Sequence, residues 1–301
     1  MWDDAGVDGV WDDTAFQARN EQLPNSDATY SYKVTGDRLN GYVIESVGKC
    51  RDSTKTVRAK LKLKQYFDDA VYAKDKILLK TSSYIDATGS TVATDPDGSG
   101  TFVEDTSSIK GKITTKDKDL SSVPPPAGPP FDIDKGPITS SVTISESGTY
   151  SSIDIKNNST ITIQGDVELY IIGDISVREK CAINVAKGSK LTLYLGGNLE
   201  IRDSGMGNVT TKEPSRFALV GVDDGGEKPV YTFADNPQFY GGIYAPDVDI
   251  VMRDAQEMYG AIVAENVTMD DKSEFYYDDS LRYENYGALE IKFIIHHWYE
   301  Q

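Results

Sequence analysis

Leu169-Tyr170-Ile171-Ile172-Gly173-Asp174-Ile175-Ser176-Val177 is echoed 24 positions later by Leu193-Tyr194-Leu195-Gly196-Gly197-Asn198-Leu199-Glu200-Ile201. Leu, Tyr and Gly recur identically and the other positions stay in kind. A shorter beat runs inside the echo. Ile153, Ile161, Leu169, Val177, Val185, Leu193 and Ile201 stand at intervals of eight, and all are aliphatic. Self-similarity at a fixed period marks a solenoid, in which each repeat buries its apolar face by stacking on its neighbours. Three short strands and three corners of about eight residues each make one such coil. The beat predicts columns of Ile153 under Val177 under Ile201, and of Leu169 under Leu193. Gly173 and Gly197 are expected to share a corner where the chain uses a positive φ. An ordinary antiparallel sandwich is the competing fold for short alternating strands. The reading is an all-β chain, mainly a parallel β-helix, taken as right-handed because that is the commoner type.

Working outward, residues 1–27 form an N-terminal arm with Trp2, Trp11 and Phe16 as anchors, either loose or carrying a short helix at about 11–20. Residues 28–69 read as a small antiparallel sheet. Its strands are Tyr30–Val34, Gly41–Gly48 and a long alternating run from Thr54 to Leu63, with turn chemistry at Gly36-Asp37 and Asn40-Gly41. Residues 70–86 are a first solenoid rung, because Ala70–Leu79 resembles Gly242–Val251 and Ala261–Met269. The last two align at an offset of 19, from Tyr240-Gly241 to Tyr259-Gly260. Residues 87–137 read as an acidic, proline-rich insert and linker. Pro124-Pro125-Pro126 lacks strand donors and is expected to lie extended along the surface. The β-helix resumes over 138–275, with a loop excursion at 203–216 and a hairpin near Asp223–Gly226. Residues 276–301 end in a closing strand that caps the solenoid or pairs back.

Composition narrows the function. The net charge of −17 leaves no basic stripe for nucleic acid or an anionic membrane. Lysines in Val57–Lys64 alternate with apolar residues, as on the wet face of a strand. No apolar run reaches the length of a membrane span, and no signal peptide is visible in the acidic first 20 residues. Cys50 and Cys181 are too few for a disulfide framework. They can form one bridge, or Cys181 can be a small buried residue beside Ala182 and Ile183.

Asp95-Pro96-Asp97-Gly98-Ser99-Gly100 is the best metal candidate. Asp95, Asp97 and Ser99 offer hard oxygens on alternate residues before a glycine, as at the start of a calcium loop. The twelfth position is Thr106 rather than a bidentate Glu. Asp270, Asp271, Asp278 and Asp279 read as solvated corner residues. Asp247, Asp249, Asp254 and Arg253 are the carboxylates and base that a polysaccharide-cleaving β-helix would need on adjacent coils. His296 and His297 are adjacent, so on a strand they face opposite sides and make no two-ligand site. No cofactor fingerprint is present, and no catalytic residues are assigned.

Phe239–Pro246, Met258–Ala264 and Phe275–Leu281 form the succession Tyr-Gly-Gly-Ile-Tyr-Ala-Pro, Tyr-Gly-Ala-Ile-Val and Tyr-Asp-Asp-Ser-Leu. With Gly41–Lys49 and Thr54–Leu61 it resembles the PilX-like minor type IV pilins and pilus-assembly proteins. The resemblance covers roughly residues 40–86 and 138–282. It implies an extracellular or cell-surface structural protein whose partners are other pilin or filament subunits, and surface carbohydrate for an adhesive one. It implies membrane attachment only through an N-terminal apolar helix, which residues 1–27 do not contain. It supplies no enzymatic residues. The rival expectations are a polysaccharide-acting β-helix enzyme and a calcium-dependent carbohydrate-binding module.

Overall fold

A computed structural model describes residues 17–37, 41–63, 66–104, 106–283 and 293–300. The chain divides into two compact units, residues 1–65 with 290–301 and residues 66–289.

The first unit is an antiparallel sheet in the order Gln17–Gln22, Thr29–Asp37, Gly41–Cys50, Ser53–Leu63, Phe293–Glu300. Its three expected strands are present. Residues 17–22 are a strand rather than part of a helix at 11–20, held by pairing with Thr29–Lys33. Trp2, Trp11 and Phe16 lie outside the described residues. Of the two expected roles of the closing strand, the structure shows pairing back, onto Val57–Leu63. His296 falls where the register shifts between Ile295 and His297, and the side chains of both histidines lie outside the described residues.

The second unit is a parallel β-solenoid of about nine turns. Each turn has three faces, built from alternating strands rich in β-branched and aromatic residues. On the first face the inward column runs Leu169, Leu193, Leu219, Ile243, Ile262, Val71, Val92. All seven are buried. On the second face it runs Ile138, Ile153, Ile175, Leu199, Tyr231, Ile250, Val267, Ile77. The third face stacks Ile161, Ile183, Gly207, Phe239, Met258, Phe275, Ile85.

The offset of 24 holds from Leu169 to Leu193 and from Val177 to Ile201, and it recurs from Leu219 to Ile243 and from Ile85 to Ile109. The predicted stack of Ile153 under Val177 does not form. Ile153 pairs with Ile175, and Ile155 with Val177, because the preceding coil is two residues shorter at its corners. The corner glycines also serve a different purpose from the one expected. Gly173 and Gly197 do not have positive φ values. A Cβ on Gly197 would lie 2.6 Å from the Gly173 carbonyl carbon, so close backbone approach is what requires glycine there.

Left-handed backbone is used at another corner. Asn157-Asn158, Glu179-Lys180, Asp203-Ser204, Asp235-Asn236, Asp254-Ala255, Asp271-Lys272 and Thr81-Ser82 are consecutive pairs with φ between 47° and 63°. Asp and Asn tolerate this region because their short polar side chains bond locally. Each corner donates one backbone N–H to the next, from Asn158 to Glu179 (3.2 Å) through to Lys272 to Thr81 (2.9 Å). The ladder orders the coils in space. Residues 71–94 follow residues 257–277, and residues 100–115 form the last coil.

Residues 87–137 are therefore only partly an insert. Tyr84–Thr94, Gly100–Val103 and Ser108–Thr115 are solenoid strands paired in parallel with their neighbours. The remainder, 116–137, is a strap running back along the first face to the opposite end. Ser121 bonds Tyr244, Val123 bridges Val222, Phe131 packs edge-on against Tyr194, and Asp134 bridges Thr149. The strap covers the outward column Tyr170, Tyr194, Val220, Tyr244, Val263, Tyr72, which is why this face is apolar on both sides. Asp223–Gly226 is a corner loop between parallel strands, not a hairpin.

Candidate functional site

The third face carries a second aromatic column. Parallel pairing aligns Tyr240, Tyr259 and Tyr276 on successive coils, and strand alternation turns all three outward. Tyr240 and Tyr259 stack with centroids 4.7 Å apart and planes 4° apart, and Tyr259 and Tyr276 stack at 4.9 Å and 13°. Lys212 Nζ lies 5.6 Å from the Tyr240 ring at one end, and Tyr84 meets Tyr276 edge-on at 6.2 Å at the other. Two residues along each strand, Gln238, Glu257 and Glu274 form a parallel polar row. Gln238 Nε2 donates to Glu257 (3.0 Å), and the Tyr276 hydroxyl donates to Glu274 (2.6 Å). The first row continues as Asp86 and Lys110, joined at 2.9 Å.

Electrostatics keep the phenols neutral. Burial, then Glu257, raises Tyr240 and Tyr259 above their ordinary value, and the hydrogen bond to Glu274, then burial, raises Tyr276. The face thus presents neutral hydroxyl donors beside carboxylate acceptors at the spacing of the coils. Because the ring faces are occupied by one another, ring edges and hydroxyls are what a ligand would meet.

A second feature is a cleft of about 290 Å³ lined by Asp223, Asp224, Glu227, Lys228, Asp247 and Glu265, among others. Lys228 bridges Asp249 (2.7 Å) and Glu265 (3.3 Å), while Asp247 accepts from Lys74 (2.8 Å) and Ser122 (2.5 Å). Burial pushes Asp247 up, but the bonds from Lys74 and Ser122 outweigh it and hold the carboxyl below the usual range. The structure brings Asp247 and Asp249 to this corner and places Arg253 and Asp254 at the next one, where Asp254 is left-handed.

Asp95, Asp97 and Ser99 lie in one turn but are engaged separately. Asp95 accepts the Asp97 N–H (3.0 Å) and the Tyr72 hydroxyl (3.2 Å), and Ser99 donates its N–H and hydroxyl to Asp75. Among the described residues no group of three or more His, Cys, Asp or Glu side chains is placed to hold a metal ion. Asp271 occupies a left-handed corner, and Asp278 accepts the Ser280 N–H. Cys181 is buried and Cys50 exposed, and both are free. The tyrosine ladder was open to sequence reasoning through the offset of 19 from Tyr240 to Tyr259. Tyr276 follows at an offset of 17, which breaks the period and hid the third ring.

These features define a parallel β-solenoid protein with one strapped face and a second aromatic row that is buried at Tyr240 and partly exposed at Tyr259 and Tyr276. The chain belongs to a family described as a domain of unknown function, DUF7305, whose model matches residues 24–284. Among solved structures, it is similar to the competence-associated pilin ComZ from Thermus thermophilus, at 11% identity over 94% of this chain and 86% of that one, with a TM-score of 0.32. It is also similar to an ice-binding protein from the Antarctic ascomycete Antarctomyces psychrotrophicus, at 12% identity over 68% and 93%, with a TM-score of 0.31. No curated protein matches the chain.

Proposed function

We propose that the chain is an extracellular structural or adhesive subunit, of the kind the minor type IV pilins represent, that presents the third solenoid face to a polyhydroxylated surface. The observation that carries this reading is the contrast between two aromatic columns. The strap buries one, whereas Tyr259, Tyr276 and the neighbouring Glu257 and Glu274 stay partly exposed in a rigid row. Neutral phenols and carboxylates at regular spacing suit multiple hydrogen bonds to a repeating carbohydrate, and the reading involves no catalytic step. Filament subunits are its other proposed partners.

Two measurements test it. Immunogold electron microscopy of the source cells, with antibody against this chain, should place gold on surface filaments or the cell exterior. Label confined to the cell interior would overturn the reading. On a glycan array, Tyr259→Ala and Glu274→Gln should weaken whatever binding the unaltered chain gives. The cleft beside Asp247 and Glu265 favours a second reading, a polysaccharide-acting enzyme, and release of reducing ends in a depolymerisation screen would support it.

A further inference from the structure

Several inward columns of the solenoid core end at exposed side chains on the two terminal coils, although Ile138 and Ile144 at one end stay buried. At one end the first-face column finishes at Ile113, the second at Thr101, with Val103 ending the neighbouring inward column through Leu79, and the third at Ile109. Ile113 is 50% exposed and Val103 40%, with Phe102 beside it at 49%. At the other end the third-face column finishes at Val142, 39% exposed, and Ile133, next to the Asp134 bridge to Thr149, is 73% exposed. Large exposed hydrophobics elsewhere in the described chain are few (Leu23, Ile172 and Val230), so the apolar exposure concentrates on the two terminal coils.

The strand edges are open in the same places. Gly100–Val103 and Ser108–Thr115 pair on one side only, as does Val142–Ile144. Such edges are templates for another strand. The edge strand Ser108–Thr115 carries exposed Lys110, paired with Asp86, and exposed Lys112, with exposed Glu104 at the corner before it, whereas the opposite end carries exposed Asp132, Asp134 and Glu146 against Lys135.

We propose that these ends are complementary and that a second copy of this chain stacks on the first head to tail. The parallel ladder would continue across the junction with Val103, Ile109 and Ile113 over Ile138, Val142 and their neighbours. Head-to-tail contact preserves the strand direction found at every internal coil step and sets Lys112 towards the acidic end. Head-to-head contact would reverse the strands and set lysines against lysines. A heterologous contact of this kind does not close, so it builds open chains rather than a fixed dimer. The inference goes beyond the adhesive reading and does not depend on it, because no carbohydrate takes part.

Sedimentation velocity of the full chain over rising concentration tests it. The expected result is a growing series of dimer, trimer and longer species, with a small salt-dependent part where Lys112 faces the acidic end. Ile113→Asp and Val142→Asp each block one end, so each variant alone should remain monomeric. An equal mixture of the two retains one intact junction and should give dimers and nothing longer. Circular dichroism and melting confirm that each variant is folded. Lys112→Glu and Glu146→Lys, both at exposed positions, each set like charges across the junction and should weaken self-association alone, whereas mixed they pair Lys with Glu at every junction and should restore chains longer than dimers without touching a core column. A monomer at every concentration would overturn the proposal. So would dimers formed by Val142→Asp alone, which would indicate a symmetric contact through the Ile113 end. Neither result would bear on glycan binding.

Discussion

Gly260 is the tightest residue-scale constraint in the solenoid. A Cβ there would lie 1.9 Å from the Gly241 carbonyl oxygen, where two coils cross with backbone against backbone. Neither atom is the end of a flexible side chain, so relief requires the coils to part. Gly260→Ala should lower stability by about 3 kcal/mol in denaturant unfolding. Gly48, with nothing within 4 Å of such a carbon, is the control, and its alanine variant should match or slightly exceed the native stability. Equal losses at the two positions would refute the close-approach account. Gln256 is the opposite case. It is fully buried, and neither amide atom has a protein partner. Gln256→Met removes two stranded polar atoms, so thermal melting should show a gain of about 1 kcal/mol. A loss would mean that the amide is satisfied in solution. The stacking of Leu169 on Leu193 was legible because both residues are inward and their coils are equal in length. The partner of Ile153 was not, since corner length is set by turn geometry that leaves no period in the apolar pattern. Tyr170 and Tyr194 alternate with the inward Leu169 and Leu193 and so face outward. What buries them is a distant segment.

That segment, the strap, works as an element through one charged fastening. Lys118, with its side chain 7% exposed, meets Asp69, at 2%, over 2.9 Å, and also bonds the Tyr66 carbonyl. Lys116, Asp68 and the Thr91 hydroxyl complete the cluster, with the Tyr72 ring 5.2 Å from Lys118 Nζ. Burial pushes the Asp69 carboxyl up, but Lys118, the Thr91 bond and Lys116 together hold it below its ordinary value. A carboxyl depressed in the folded state contributes stability that is complete above its unfolded pKa, about 4. That contribution is lost as pH falls through the lower folded value. Melting temperature should therefore drop on acidification below about pH 4, and Asp69→Asn should show a shallower drop. Identical slopes would remove the cluster from the account. Sequence reasoning placed the proline run along the surface correctly, because its lack of donors excludes a central strand. It missed the strands on either side of residue 100. Ser-, Thr-, Gly- and Asp-rich stretches such as Thr88–Ser90 and Asp95–Ser99 dilute the apolar pattern there. Only the aligned pairing of Val92 with Val71 and of Ile109 with Ile85 reveals the coil.

At the scale of the whole solenoid, stability is close to a sum over coils and their shared interfaces. The coils built from 166–185, 190–207 and 217–239 have a neighbour on both sides, while those built from 100–115 and 134–144 have one. A terminal coil also ends its core columns in water, so it forfeits part of the roughly 1.5–3 kcal/mol that burial of each large aliphatic side chain contributes. Opening should therefore begin at the ends and move inward, as sub-global units of rising free energy. Hydrogen exchange on the dilute chain should find amides of 108–115 and 142–144 exchanging first. Those of 191–195 and 217–221, which are paired on both sides and covered by the strap, should exchange last. Uniform protection along the stack would mean that the coils open together as one unit. Fast exchange at the centre would contradict the column assignment itself. Raising the protein concentration separates end fraying from end pairing. Protection should then rise selectively at 108–115 and 142–144, the two strands that a stacked copy would bring into register, while the central coils stay unchanged.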